Sequence, residues 1–166
     1  MFLLFRSINK NEEKKRKSLL YQANHDSLTK LFNRNFLSTH FSNLKSFEPF
    51  TLMFIDIDNF KAINDAHGHS FGNQVLKQIA QRISSFKKEK DILVRNSGDE
   101  FLLITQEINK DEIKTLANNI IKDLGNPYNL NQYQFIIGTS IGISQYPLNG
   151  DNFDDDDTND NLFESF

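Results

Sequence analysis

Between Ser70 and Lys87 the apolar residues Phe71, Val75, Leu76, Ile79, Ala80, Ile83 and Phe86 recur with the period of an α-helix. A helix with one apolar stripe and a polar back needs a flat apolar surface to cover. Thr51 to Ile57, a nearly continuous apolar run, supplies one as a buried strand. A second amphipathic helix follows from Ile113, Leu116, Ala117, Ile120, Ile121 and Leu124, and Gly125 and Pro127 stop it. Between the helices, Asp91 to Arg95 and Glu100 to Gln106 are β-prone runs separated by the turn formers Asn96-Ser97-Gly98-Asp99, which predicts a hairpin. Leu28, Leu31, Phe32, Phe36, Leu37, Phe41 and Leu44 suggest one or two helices over Ser27 to Phe47, and Tyr128 to Tyr146 returns to strand character. The order helix, strand, helix, hairpin, helix, strand predicts an α+β fold, an antiparallel-rich sheet covered by helices.

A chain of 166 residues suits one core, and 16 Phe can fill it although only 38% of residues are hydrophobic. With no cysteine, disulfides, thiolate metal sites and cysteine nucleophiles are excluded, and the composition fits a reducing compartment. Charge divides the chain. Residues 1–20 carry six bases and two acids, 21–150 balance, and 151–166 carry seven acids and no base. So modest a basic patch makes a nucleic-acid polymer a poor partner and leaves nucleotides open. Arg6 ends the apolar start far short of a bilayer span, and the order of features expected of a signal peptide is missing. Residues 1–21 therefore read as a remnant or linker whose polar helix, Asn9 to Tyr21, joins a sensor to an output domain. Residues 22–150 read as the domain and 151–166 as a solvated, disordered acidic tail, preferred to a metal-binding or partner-docking segment.

Chemistry concentrates in two segments, Phe54 to Asn73 and Arg95 to Phe101. Asp56 and Asp58 end the apolar strand, and Asp99 and Glu100 sit on the hairpin turn. If the two strands are neighbours, three or four carboxylates meet at one sheet edge. Mg²⁺ shared between a few carboxylates and substrate phosphates suits such an edge. The plainer reading has Asp58 or Asn59 capping the next helix and Asp99 stabilising the turn. Spacing alone leaves the two level. His67-Gly68-His69 lacks a third ligand and reads as turn residues, and Phe47, Phe50, Phe54, Phe60 and Phe71 read as core.

Ser97-Gly98-Asp99-Glu100-Phe101 resembles the signature of the GGDEF family of diguanylate cyclases. The run His25 to Arg34 is similar to the family's opening motif, Asp56 to Asp65 to its metal- and base-binding segment, and Gly68 to Gly72 and Ser140 to Ile143 follow in order. The resemblance spans about residues 22–150. It implies a palm-like, ferredoxin-like central antiparallel sheet flanked by helices, of the nucleotide cyclase type. It further implies a homodimer in which two GTP molecules condense to cyclic di-GMP and pyrophosphate, below an upstream sensor in a longer parent. By the same resemblance Asp56, Ile57, Asp99 and Glu100 hold Mg²⁺ or Mn²⁺, Asp99 and Glu100 are catalytic, and Asn64 binds guanine. The backbone around Phe60 and Lys61 lines the triphosphate, while Gly98, lacking Cβ, admits phosphate. The implied location is cytoplasmic, at the inner membrane face where a longer parent is anchored.

Departures from the pattern point to a rival, a degenerate, non-catalytic module that binds nucleotide or a protein partner. Ser97 replaces the first signature glycine. Asn73 stands where an aspartate usually reads guanine, and its amide offers a donor to guanine's donors. That pairing also opens a relaxed base choice, since an amide suits adenine. Lys88 with Asp91 occupies the place of the family's arginine-based inhibitory site, where lysine cannot fork onto phosphate. After Gly150 acids stand where the family has a helix supplying Lys and Arg to the triphosphate.

Overall fold

The computed structural model describes residues 2–44 and 49–146, with side chains described over 11–40 and 49–146. The acidic segment 151–166, the comparison of the chain after Gly150 with the family's basic helix, and Phe47 all lie outside these residues.

The elements run α1 (Phe2–Asn24), β1 (Phe32–Asn33), α2 (Arg34–Leu44), β2 (Phe50–Ile57), α3 (Phe60–His67), α4 (His69–Phe86), β3 (Ile92–Ser97), β4 (Glu100–Thr105), α5 (Lys110–Leu124), β5 (Tyr128–Leu130), β6 (Tyr133–Phe135) and β7 (Thr139–Tyr146). The main sheet has the order β1-β3-β4-β2-β7. Its β2, β3, β4 and β7 pair antiparallel, and only β1 joins parallel to β3. Helices α3 and α4 connect β2 to β3, and α5 connects β4 towards β7. The result is a β-α-β-β-α-β ferredoxin-like core.

β2 alternates as expected of a strand with one face on the core: Met53, Ile55 and Ile57 are buried, while Leu52, Phe54 and Asp56 between them are half-buried. Phe101 and Leu103 lie opposite Ile55 and Met53. This face joins the stripe of α4 (Phe71, Val75, Leu76, Ile79, Ala80, Ile83) and Ile113, Ile120 and Leu124 of α5 in one cluster. Each such side chain contributes about 1.5–3 kcal/mol by leaving water. Asn109 caps α5, its side chain accepting from the amides of Asp111 and Glu112. At the other end of α5, Arg82 donates to the carbonyls of Asp123, Asn126 and Pro127 and lies 3.8 Å over the Tyr128 ring.

Three expectations change. Ser27 to Arg34 is not helical throughout. Asp26 accepts from both the amide and the hydroxyl of Thr29 at 2.7 Å, closing a turn ahead of β1. The apolar spacing in that stretch reflects packing of a turn and short strand. The region after Pro127 forms three strands, because the tight β5–β6 hairpin, with Asn131 at φ 54, makes its own two-stranded sheet. Finally, α1 extends beyond Asn9–Tyr21 in both directions. No helix among the described residues is long and apolar enough to cross a membrane.

Candidate active site

The sheet brings the predicted carboxylates together. Asp56, near the end of β2, lies directly opposite Glu100 of β4, and Ser140 of β7 lies on its other side. Directly paired residues project to the same face. A row Ser97, Glu100, Asp56, Ser140 therefore crosses four strands at one end of the sheet, with Asp99 in the adjoining turn. The Asp56 carboxyl is held above the ordinary aspartate range by partial burial and by the charges of Asp99, Glu100 and Asp58. Like charges gathered at a half-exposed edge are relieved by a cation.

Asp58 has a different task. Its Oδ1 accepts from Ser140 Oγ at 2.9 Å and its amide donates to the Gly138 carbonyl at 3.1 Å. A Cβ on Gly138 would lie 2.5 Å from Asp58 Oδ2, so glycine lets β7 approach. Neither Asp58 nor Asn59 caps α3 as the plainer reading had it. Asn59 is the residue before the helix, in the left-handed region at φ 56, and no side chain caps the first turn. Ile57 is buried, so it offers only its main chain at the edge.

Phe60 is buried in the core and Lys61 is exposed, leaving the start of α3 beside the carboxylates. Asn64 lies against α4. A Cβ on Gly72 would fall 2.0 Å from Asn64 Oδ1 and 3.1 Å from the Phe60 ring, so Gly72 makes the space in which the Asn64 amide sits. Asn73, next in the chain, is exposed. Gly98 has φ 28 and open space where a Cβ would project. Sequence reasoning gave Gly72 and Ser140 no role, although both stand in motifs it singled out.

The hairpin turn is braced from behind. Arg95 donates from Nε and Nη2 to the Gly98 carbonyl at 3.0 and 2.6 Å and from Nη1 to Asp26 Oδ1 at 3.0 Å. Burial opposes ionisation of Asp26, but the hydrogen bonds from Thr29 and Arg95 outweigh it and set its pKa below the ordinary value. An open cleft of about 360 Å³ lies beside this brace, between Asn33 to Asn35 and Arg95 to Gly98. Glu100 is also held: its Oε2 accepts from Asn96 Nδ2 at 3.0 Å and from the Ser97 hydroxyl. Ser97 thus gives the turn a hydrogen bond that glycine could not make.

Lys88 and Asp91 are not part of this constellation. They precede β3, whereas the turn follows it. Asp91 is buried and its carboxylate accepts from the Lys88 amide at 2.8 Å, while Lys88 Nζ pairs with Glu107 at 3.3 Å. His67 and His69 are not turn residues but helix ends on either side of Gly68: His67 closes α3, its ring 4.6 Å from Phe71 and 4.8 Å from Tyr133, and His69 opens α4. Among the described residues no three His, Asp or Glu side chains are arranged to hold a metal unaided.

Comparison with known proteins gives this geometry a context. The family described as diguanylate cyclase, GGDEF domain, matches residues 23–159. The bifunctional diguanylate cyclase/cyclic di-GMP phosphodiesterase MucR of Pseudomonas aeruginosa is 35% identical over 139 residues, covering 81% of this chain and 20% of MucR. The diguanylate cyclase TpbB of the same species is 38% identical over 141 residues, covering 81% of this chain and 32% of TpbB. The solved structure of the isolated TpbB GGDEF domain matches with a TM-score of 0.67 at 36% identity, over 75% of this chain and 76% of that one. The chain thus spans a fifth to a third of the length of these two curated relatives. With the carboxylate edge, the SGDEF hairpin and the ferredoxin-like core in register, the chain belongs to the GGDEF domain family of diguanylate cyclases.

Proposed function

We propose that this domain condenses two GTP molecules into cyclic di-GMP and pyrophosphate, working as a homodimer in which each protomer presents one GTP. The observation that carries the reading is the register of Asp56 with Glu100 beside the Asp99 turn. The donor set suits Mg²⁺ or Mn²⁺: half-exposed carboxylates that repel one another and leave room for water and phosphate oxygens. Asp56, Asp99, Glu100 and the main chain at Ile57 would hold it. A divalent ion supplies neutralisation of phosphate charge there.

The chain's own groups do the rest. The Asn64 amide, seated over Gly72, offers a donor and an acceptor to the guanine edge. The uncapped amides of the first turn of α3, with Lys61, receive the triphosphate. Gly98 lets backbone approach phosphate, and the brace from Arg95 to the Gly98 carbonyl fixes the turn that carries Asp99. Each 3′-hydroxyl attacks the α-phosphate of the other nucleotide, and Glu100 supplies a carboxylate beside the attacking oxygen. Product inhibition is weak in this reading, because Lys88 is a point charge paired with Glu107 and Asp91 is occupied by the Lys88 amide.

Asn73 favours a second reading, a module that binds nucleotide without turnover, because an amide replaces the family's aspartate at an exposed position. Incubating the protein with GTP and Mg²⁺ and analysing the products by mass spectrometry decides between them. Cyclic di-GMP is the expected product. Bound GTP recovered unchanged from a dimeric sample would overturn the cyclase reading in favour of the second.

A further inference from the structure

The first position of the signature carries a hydroxyl in this chain. The β3–β4 ladder slips between Arg95 and Ser97, so Asn96 sits in a bulge, and a bulge re-aims the side chain it carries. Ser97 is paired directly across from Glu100. The Asn96 amide and the Ser97 hydroxyl both donate to one oxygen of Glu100, Oε2. Each of these is a feature of the hairpin segment Arg95 to Glu100 itself, independent of any ligand.

We propose that Ser97 is a positioning residue whose hydroxyl, together with the Asn96 amide, anchors Glu100 through Oε2 and so keeps Oε1 available for the divalent cation. The inference rests on the metal edge of the proposed function. Its physical basis is entropy and orientation: a glutamate side chain held at one oxygen has less rotamer freedom to lose when the other oxygen takes a cation. Outer hydrogen bonds to metal-binding carboxylates commonly change metal affinity 10- to 100-fold. A glycine at this position leaves Asn96 as the sole donor of the pair.

The test is a Mn²⁺ titration of the full chain without nucleotide, following free Mn²⁺ by electron paramagnetic resonance. Ser97→Val and Ser97→Thr are near-isosteric and differ in the hydroxyl. Ser97→Thr is expected to keep wild-type affinity, and Ser97→Val and Ser97→Gly to weaken it about tenfold. Circular dichroism and melting curves are followed in parallel to confirm that the variants remain folded. Equal affinity for Ser97→Val and wild type, or tighter binding by Ser97→Val, overturns the proposal. Failure of the cyclase reading has a different signature, namely no cyclic di-GMP from GTP while the Mn²⁺ difference persists. Wild-type protein that takes up no Mn²⁺ overturns the proposal and leaves the cyclase reading to its own product assay, because in that reading substrate phosphates share the cation.

Discussion

Strand β3 has an aspartate near each end, and the two ends differ in kind. Before it, Asp91 is buried and accepts from the Lys88 amide, while Lys88 turns away to Glu107. After it, Asp99, Glu100 and Asp56 stand half-exposed and repel one another. One end is a completed loop whose charge is satisfied within the chain; the other gathers like charges at a half-exposed edge. Acidic residues near a turn therefore say little until their partners are known, because the same carboxylate can close a loop or open a site.

The comparison breaks most sharply at Asp99. Asp99→Ala is expected to reduce cyclic di-GMP formation at least about 10³-fold, the equivalent of several kcal/mol of lost charge stabilisation. Folding stability in urea should stay within about 0.5 kcal/mol. Substantial residual turnover would mean that the open end of β3 is not where chemistry happens.

At the closed end the pattern inverts. Asp91→Ala should cost about 1–3 kcal/mol of stability, because the Lys88 amide loses its acceptor, and leave turnover per folded molecule unchanged. Chemical denaturation paired with an activity assay separates the two outcomes. A loss of activity without a loss of stability would erase the contrast.

Base recognition sharpens it further. Gly72→Ala drives a Cβ into the space of the Asn64 amide, so GTP affinity should fall about tenfold, one hydrogen bond's worth. Asn73→Asp should raise GTP affinity several-fold and sharpen discrimination against ATP by restoring a charge-assisted acceptor, about 1 kcal/mol. Calorimetric titration of both nucleotides reads both effects. Unchanged affinity in both variants would remove α3 and α4 from the site.

The smallest effects come from pH. Asp56 has a raised pKa, so its favourable contribution to stability exists below its unfolded pKa and is lost as pH rises through the folded value. Asp56→Asn should therefore stabilise the metal-free protein at neutral pH, by less than about 1 kcal/mol given solvent screening, with the gain gone below about pH 4. Asp26 runs the other way. Its pKa is lowered, so its contribution is present above the unfolded pKa and disappears as pH falls through the folded one, and Asp26→Asn should cost stability at neutral pH only. Melting temperatures across pH 3–7 test the opposite signs, the range being about that in which carboxylates titrate.

The long helices and paired strands were legible because period and composition are local properties. The stripes of α4 and α5 and the apolar run of β2 can bury themselves in only one way each. The candidate carboxylates were legible as residues but not in their roles, since capping and turn formation account for acids at such positions as well as a metal does. Which of them converge was not. Spacing cannot tell whether β2 lies beside β4, and the register that sets Asp56 against Glu100 comes from sheet order. The same holds for the capture of Asp58 by Ser140, the seat that Gly72 gives Asn64 and the brace of Gly98 through Arg95, whose bond to Asp26 joins residues 69 positions apart. The sequence alone determined which segments must be buried and which side chains could carry charge at their ends. Tertiary structure alone decided which charges remain unpaired, because pairing depends on distances through space that chain-local periodicity does not encode.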